Sequence, residues 1–274
     1  MIRFERGDND NTTNVIPIQG AIMDLELTGK RAIVTGGSRG IGKAIAYQLA
    51  REGVDLVLAA RGKAALETTA DEIAAETGRR VMTLTVDTAS QASVDAMVEH
   101  AISSLGGIDI LVNAAALPGG LSPATALEQI VDAEALEDIN IKVIGYLRTA
   151  RALAPHLIAN GWGRIINVGG LAIYRTGRPV ATLRNVGVAA ITKNMADELG
   201  PKGINVTAVH PGATRTEQTD AATEARVASW NTLGRIVDAS EVANVVTFLA
   251  SPLSVAINGD AIQVGGGIPG DIHY

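Results

Sequence analysis

A chain of 274 residues that is 47% hydrophobic and holds 30 glycines is long enough for one large α/β domain. Its net charge of −6 argues against nucleic acid or an anionic membrane surface as a partner, and the absence of cysteine excludes disulfides and thiolate chemistry. No apolar run approaches the roughly 18–20 residues that span a bilayer, and the first twenty residues carry no apolar signal core, so a soluble, cytoplasmic protein is expected.

Residues 1–24 read as an N-terminal extension, polar and mixed in charge, with the short apolar patch Val15-Ile16-Pro17-Ile18. Residues 25–274 read as a single domain, because no composition shift marks a linker and no fixed period repeats. Short β-branched runs predict strands over 31–35, 54–59, 80–86, 108–112, 163–168, 203–209 and 261–264. Between them, amphipathic segments predict helices over 40–52, 63–77, 90–105, 127–160, 179–199 and 240–249. Strands that are near-continuous apolar runs, alternating with helices, imply a doubly wound α/β fold: a parallel seven-stranded sheet with helices on both faces. The irregular stretch 212–231 is a candidate lid.

Thr35-Gly36-Gly37-Ser38-Arg39-Gly40-Ile41-Gly42 follows the first strand and opens the first helix, the place of the glycine loop in a Rossmann-type fold. Glycines let the backbone turn and approach a pyrophosphate, and the helix N-terminus offers free N–H groups and a positive dipole end. Gly36, Ser38, Arg39, Ile41 and Gly42 are therefore candidate cofactor-binding residues. The second strand ends Ala59-Ala60-Arg61, with no acid at position 60 to hold the two ribose hydroxyls of NAD. Arg39 and Arg61 instead favour a 2′-phosphate, and so NADP(H) over NAD(H). The competing reading of both is a pair of solvated surface arginines.

With these motifs the chain resembles the short-chain dehydrogenase/reductase family over about residues 25–267. Thr35–Gly42 is similar to the family's cofactor loop. Val86-Asp87-Thr88 resembles the segment whose aspartate holds the adenine side, which implies Asp87 and Thr88 as cofactor contacts. Leu111-Val112-Asn113-Ala114-Ala115-Ala116 resembles the Asn-Asn-Ala-Gly strand end, implying Asn113 and Ala115. His210-Pro211-Gly212-Ala213-Thr214 resembles the turn that packs on the nicotinamide, implying Pro211, Gly212 and Thr214. Asn140 resembles the helix asparagine that helps order a proton-relay water.

The same resemblance exposes a gap. In that family a tyrosine donates the proton, a lysine lowers its pKa and holds the nicotinamide ribose, and a serine bonds the reacting oxygen. Here Gly170 stands at the serine, Ala181 at the tyrosine and Asn185 at the lysine, and no tyrosine in the chain has a lysine four residues later. A positioned acid is worth about 10²–10⁴ in rate, so its loss without replacement is severe. Tyr174 and Arg178, after the fifth strand, are the candidate substitute acid and its partner, set against the plainer reading of a surface tyrosine and a solvated arginine. Asn185 retains the means to hydrogen-bond the ribose, while Arg184 and His210 are further polar groups near the expected cleft.

The expectation is an NADP(H)-binding oxidoreductase acting on a small carbonyl or alcohol, with an active site lacking the usual Ser, Tyr and Lys and with no metal. Its rivals are a catalytically silent nucleotide-binding or regulatory homologue and non-redox chemistry on the same scaffold. The long Ala-, Ile- and Val-rich segments 127–160 and 179–199 imply a homodimer or homotetramer.

Overall fold

The computed structural model describes residues 23–117 and 120–270. Nearly all of the expected extension at 1–24, including the Val15–Ile18 patch, lies outside the described residues. The elements are β1 (Arg31–Thr35), α1 (Gly40–Arg51), β2 (Asp55–Ala60), α2 (Lys63–Thr77), β3 (Val81–Thr85), α3 (Gln91–Leu105), β4 (Ile110–Asn113), α4 (Asp132–Ile139), α5 (Gly145–Asn160), β5 (Gly163–Val168), α6 (Pro179–Leu199), β6 (Ile204–Pro211), β7 (Thr214–Arg215), α7 (Ala221–Val227), β8 (Val237–Asp238), α8 (Ala239–Ala250) and β9 (Ala261–Val264).

Seven strands form one parallel sheet in the order β3-β2-β1-β4-β5-β6-β9. Successive strand residues point to opposite faces, and each face has its own core. Ala32, Val34, Leu56, Leu58, Ile110 and Val112 pack with Ile45 and Leu49 of α1 and Val246 of α8. The intervening Ile33, Val57, Ala59 and Leu111 pack with Val94 of α3, Leu153 of α5 and Met195 of α6. Both faces are thus apolar and helix-covered, which is why these strands carry no polar alternation.

Two features depart from the expected elements. The short strands β7 and β8 pair in parallel, and with α7 they give regular structure to part of the expected lid. The expected helix over 127–160 is interrupted: a 3-10 turn (Leu127–Gln129) precedes α4, and a π-helical stretch (Asn140–Ile144) joins α4 to α5. A π turn opens the regular bonding pattern, and neighbouring side chains bond its carbonyls. Thr88 Oγ1 donates to the Ile141 carbonyl at 3.2 Å, and Arg148 donates to that of Asn140 at 3.1 Å.

At the carboxyl ends of β4 and β5 a buried polar chain ties sheet to helices. Thr149 Oγ1 donates to Asn113 Oδ1 (2.7 Å), Asn113 Nδ2 donates to Asn167 Oδ1 (3.0 Å), and Asn167 Nδ2 donates to Thr192 Oγ1 (2.9 Å). All four residues are buried. Among the described residues no helix is long and apolar enough to cross a membrane. Asn167→Ala breaks this chain in two places and leaves the Asn113 amide without its acceptor, at a cost of about 2–4 kcal/mol. A fall in the thermal unfolding midpoint of roughly 5–10 °C is expected in calorimetry, and an unchanged midpoint would contradict the role given to the chain.

Candidate active site

The strand order reverses between β1 and β4, and there the loops leaving the carboxyl ends diverge and open a crevice. A cavity of about 580 Å³ occupies it. The glycine loop, Arg61, Asp87, Thr88, Lys142, Gly169 and Arg184 line it, and Thr216, Glu217 and Gln218 of the expected lid border it.

The glycine loop is built for close approach. Gly36 has φ of 72°, and a Cβ there would stand 2.7 Å from the Ala114 carbonyl oxygen. A Cβ at Gly42 would collide with the Gly36 carbonyl oxygen. Arg39, at the N-cap of α1, places no side chain on the helix N–H groups. The Glu217 carboxylate sits there instead, accepting from the Gly40 N–H at 3.0 and 3.2 Å. A carboxylate at a helix N-terminus stands in for the phosphate such a terminus takes, so the residues present fit a dinucleotide. Ser38, Arg39, Ile41 and Ala115 also line the cavity, and Arg39 and Arg61 are exposed.

A buried polar cluster adjoins the cavity. Lys142, in the π stretch, is 4% exposed. Its Nζ donates to the Gly169 carbonyl at 2.9 Å and to Asn185 Oδ1 at 3.0 Å. Burial first, then the Arg184 charge, lowers its amine from 10.5 to about 7, against the opposing pull of Asp138. Arg184 Nη1 and Asp138 Oδ1 form a buried ion pair at 2.9 Å, and the Leu121 N–H donates to the other Asp138 oxygen at 3.1 Å. Fully buried His210 accepts from the Gly170 N–H through Nδ1 at 3.1 Å. Burial, then the Lys142 charge, holds His210 down at about 4, so it is neutral at physiological pH. Its close approach requires glycine at 169, where a Cβ would collide with the ring.

The expected site residues fall into distinct places. Asn113 is buried behind the cavity in the polar chain described above. Asn185 donates through Nδ2 to the Ala181 carbonyl at 2.8 Å and accepts from Lys142. Pro211 ends β6, and Thr214 Oγ1 closes the following turn by donating to the Gly212 carbonyl at 3.0 Å. Asn140 accepts from Arg148 at 2.8 Å and donates to Glu137 at 3.4 Å, while its neighbours Ile141 and Lys142 line the cavity. Tyr174 ends a 3-10 turn (Leu171–Tyr174), and its ring meets that of His210 edge to face at 6.1 Å. Arg178 is the N-cap of α6, with φ of −143° and ψ of 82°, so the two do not share a helical turn.

Sequence reading passed over Lys142. The signal was a lone cation inside the apolar run Ile139-Asn140-Ile141-Lys142-Val143-Ile144. Residues two apart on a helix point to different sides, so Asn140 and Lys142 cannot both face the site.

This fold and cavity define a doubly wound α/β protein of the Rossmann type. A family model described as Enoyl-(Acyl carrier protein) reductase matches residues 36–269. The chain is 33% identical over 249 residues to 3-oxoacyl-[acyl-carrier-protein] reductase of Vibrio cholerae, covering 89% of this chain and 99% of that protein. It is 32% identical to a subunit of (2S)-[(R)-hydroxy(phenyl)methyl]succinyl-CoA dehydrogenase from Thauera aromatica, covering 89% and 98%. L-sorbose reductase of Gluconobacter frateurii, solved with NADPH and L-sorbose, superposes with a TM-score of 0.85 at 30% identity, covering 91% of this chain and all of that one. The chain belongs to the short-chain dehydrogenase/reductase family.

Because Glu217 holds the place a phosphate would take, Glu217→Gln removes a competing negative charge. NADPH affinity measured by calorimetry is expected to rise about two- to fivefold, the scale of one charge at a helix N-terminus. Unchanged or weaker binding would show that the carboxylate does not compete.

Proposed function

We propose that the protein is an NADP(H)-dependent oxidoreductase acting on a small carbonyl or alcohol, with an active site that lacks the usual Ser, Tyr and Lys. One observation carries this reading: a single cavity joins the glycine loop and Arg61 to Lys142 of the π-helical stretch and Arg184 of α6. The glycine loop and α1 would hold the pyrophosphate, Asp87 and Thr88 the adenine side, and Arg39 and Arg61 the 2′-phosphate. The bound nicotinamide supplies hydride. Tyr174 and Arg178, on the connection between β5 and α6, are read as substrate-side residues. The relatives described as reductases, and the neighbour solved with NADPH, support the class of reaction.

A catalytically silent nucleotide-binding homologue is the second reading, favoured by Gly170, Ala181 and Asn185. NADPH consumption with a panel of ketones, aldehydes and sugars decides between them, since binding without turnover would establish the silent homologue. On cofactor choice, NADPH is expected to bind more tightly than NADH, and Arg61→Ala to narrow the ratio about tenfold, as loss of one charge-assisted bond requires. Equal binding of the two cofactors, or an unchanged ratio in the variant, would refute the preference.

We read the working state as a homodimer or homotetramer. On α6, Leu183 is 57% and Val186 44% exposed, apolar surface that a second copy would cover. Light scattering at micromolar concentration should give at least twice the 28.3 kDa chain mass, and a 28.3 kDa particle would refute assembly.

A further inference from the structure

We propose that Lys142 is the proton donor of this site: its ammonium, held by Asn185 and the Gly169 carbonyl at the wall of the cofactor cavity, supplies the proton that reaches the substrate oxygen. The proposal rests on the oxidoreductase reading above.

The first support is the pairing of the ammonium. Among the described residues no carboxylate forms an ion pair with Lys142, because Asp138 is engaged by Arg184. Both acceptors on Nζ are neutral oxygens. An ammonium buried against neutral partners is costly, so a purely structural role would be better served by an apolar or neutral side chain. An ammonium also carries three N–H donors. Two are used in holding it, and the third remains for a ligand in the cavity that Lys142 lines.

The second support is the charge state of its surroundings. Arg184 acts on Lys142 from α6 and Asp138 from α4, Lys142 acts on His210 of β6, and Tyr146 of α5 lies within reach of the Arg184 charge. The Tyr146 phenol is pushed well above its ordinary value by burial and donates to the Val168 carbonyl at 3.1 Å. His210 is held neutral, and Arg184 is paired with Asp138. Within this cluster Lys142 is therefore the group that changes charge near neutral pH, as a general acid requires.

The third support is where the cation sits. The family resemblance puts a lysine at position 185 and an asparagine on the preceding helix. Here the helix asparagine, Asn140, is kept, position 185 is an asparagine, and Lys142, two residues past Asn140, bonds Asn185 at 3.0 Å. Ala181, at the tyrosine position, carries no phenol for the cation to act through, so a proton leaving Nζ would pass directly to the substrate oxygen.

In the forward step the carbonyl carbon accepts hydride from a reduced nicotinamide dinucleotide, which is thereby oxidised, and the C=O π pair moves to oxygen. That oxygen forms its O–H bond as an Nζ–H bond of Lys142 breaks, leaving the electron pair on nitrogen. The neutral amine then takes a proton from solvent.

The test compares the native protein with Lys142→Met, using a carbonyl the native protein reduces. The expected result is a loss in kcat of about 10²–10⁴, the range for a positioned acid, with NADPH affinity within about threefold. The native rate of reduction should fall above a midpoint near 7. In Lys142→Ala, added primary amines should restore reduction, with the high-pH limb moved to the amine's own pKa. A readout independent of turnover is the ¹³Cε-lysine NMR titration of the protein without substrate. One resonance, absent in Lys142→Met, should titrate between about pH 6 and 8. A midpoint above about 9.5, a kcat loss under about tenfold, or removal of the high-pH limb by Tyr174→Phe instead would overturn the proposal. An active Lys142→Met overturns this proposal alone. A native protein that binds NADPH yet turns over nothing overturns the oxidoreductase reading and this proposal with it.

Discussion

A parallel sheet buried on both faces can admit a ligand only beyond the carboxyl ends of its strands. In this chain α1 and α8 cover one face and α3, α5 and α6 the other, so the faces are closed. The reversal of strand order between β1 and β4 is where the loops part, and the cavity lies there. Everything in the site inherits its position from that constraint. The glycine loop leaves β1, Asp87 and Thr88 follow β3, Ala115 follows β4, and Gly169 follows β5. The buried amides of Asn113 and Asn167 brace the rim by bonding strand end to strand end, and their hydroxyl partners on α5 and α6 hold the two helices that present the polar cluster.

Within that cluster, burial outweighs attraction. Asp138 is an acid whose charge acts on Lys142, yet Arg184 and the Leu121 N–H already engage its two oxygens. Its attraction for the ammonium therefore falls short of the combined effect of desolvation and the Arg184 charge, and the amine sits at about 7. The sign for stability follows from linkage. Between about pH 7 and 10.5 the unfolded chain binds a proton that the folded chain does not. This group thus opposes folding progressively as pH falls through that window, and by a constant amount below it. A fold that retains such a residue at a cavity wall carries a local cost of the kind found at functional sites. His210 behaves similarly at lower pH: its folded value near 4 means that protonating the unfolded chain weakens the fold as pH drops from about 6.5.

Around positions 169, 170 and 185 the side chains pack in a way their positions along the chain do not suggest. Gly169 and Gly170 admit His210 and Asn185 at distances that side chains would obstruct: a Cβ at 169 would strike the His210 ring, and one at 170 would press on the Asn185 amide at 3.3 Å. A side chain at 170 would therefore require the Asn185 amide to give by a few tenths of an ångström. Lys142 reaches the same amide from the other side. These residues form one packing solution, so restoring a single family residue would disturb the others.

Much of this was legible in the amino-acid order because it rests on local rules. Apolar runs at strand length, the helical segments between them and a glycine loop between the first strand and helix each depend on near neighbours, and β1, β5, α2 and α6 fall where periodicity places them. Gly170, Ala181 and Asn185, at the positions where the family resemblance has Ser, Tyr and Lys, were equally visible, since they can be counted along the chain. The place of Lys142 beside them was not. Asn140 drew attention through its motif, but a helix turns residues two apart to different sides, and the π-helical stretch shifts the register further. Only the packing of that stretch against β5 and α6 decided that Lys142 faces the cavity and that Asn185 receives it. The same holds for Glu217 at the N-terminus of α1, 177 residues away in the chain. Local pattern determines which elements form; which side chains meet at the crevice depends on how distant elements pack, and that packing is set by burial of both sheet faces.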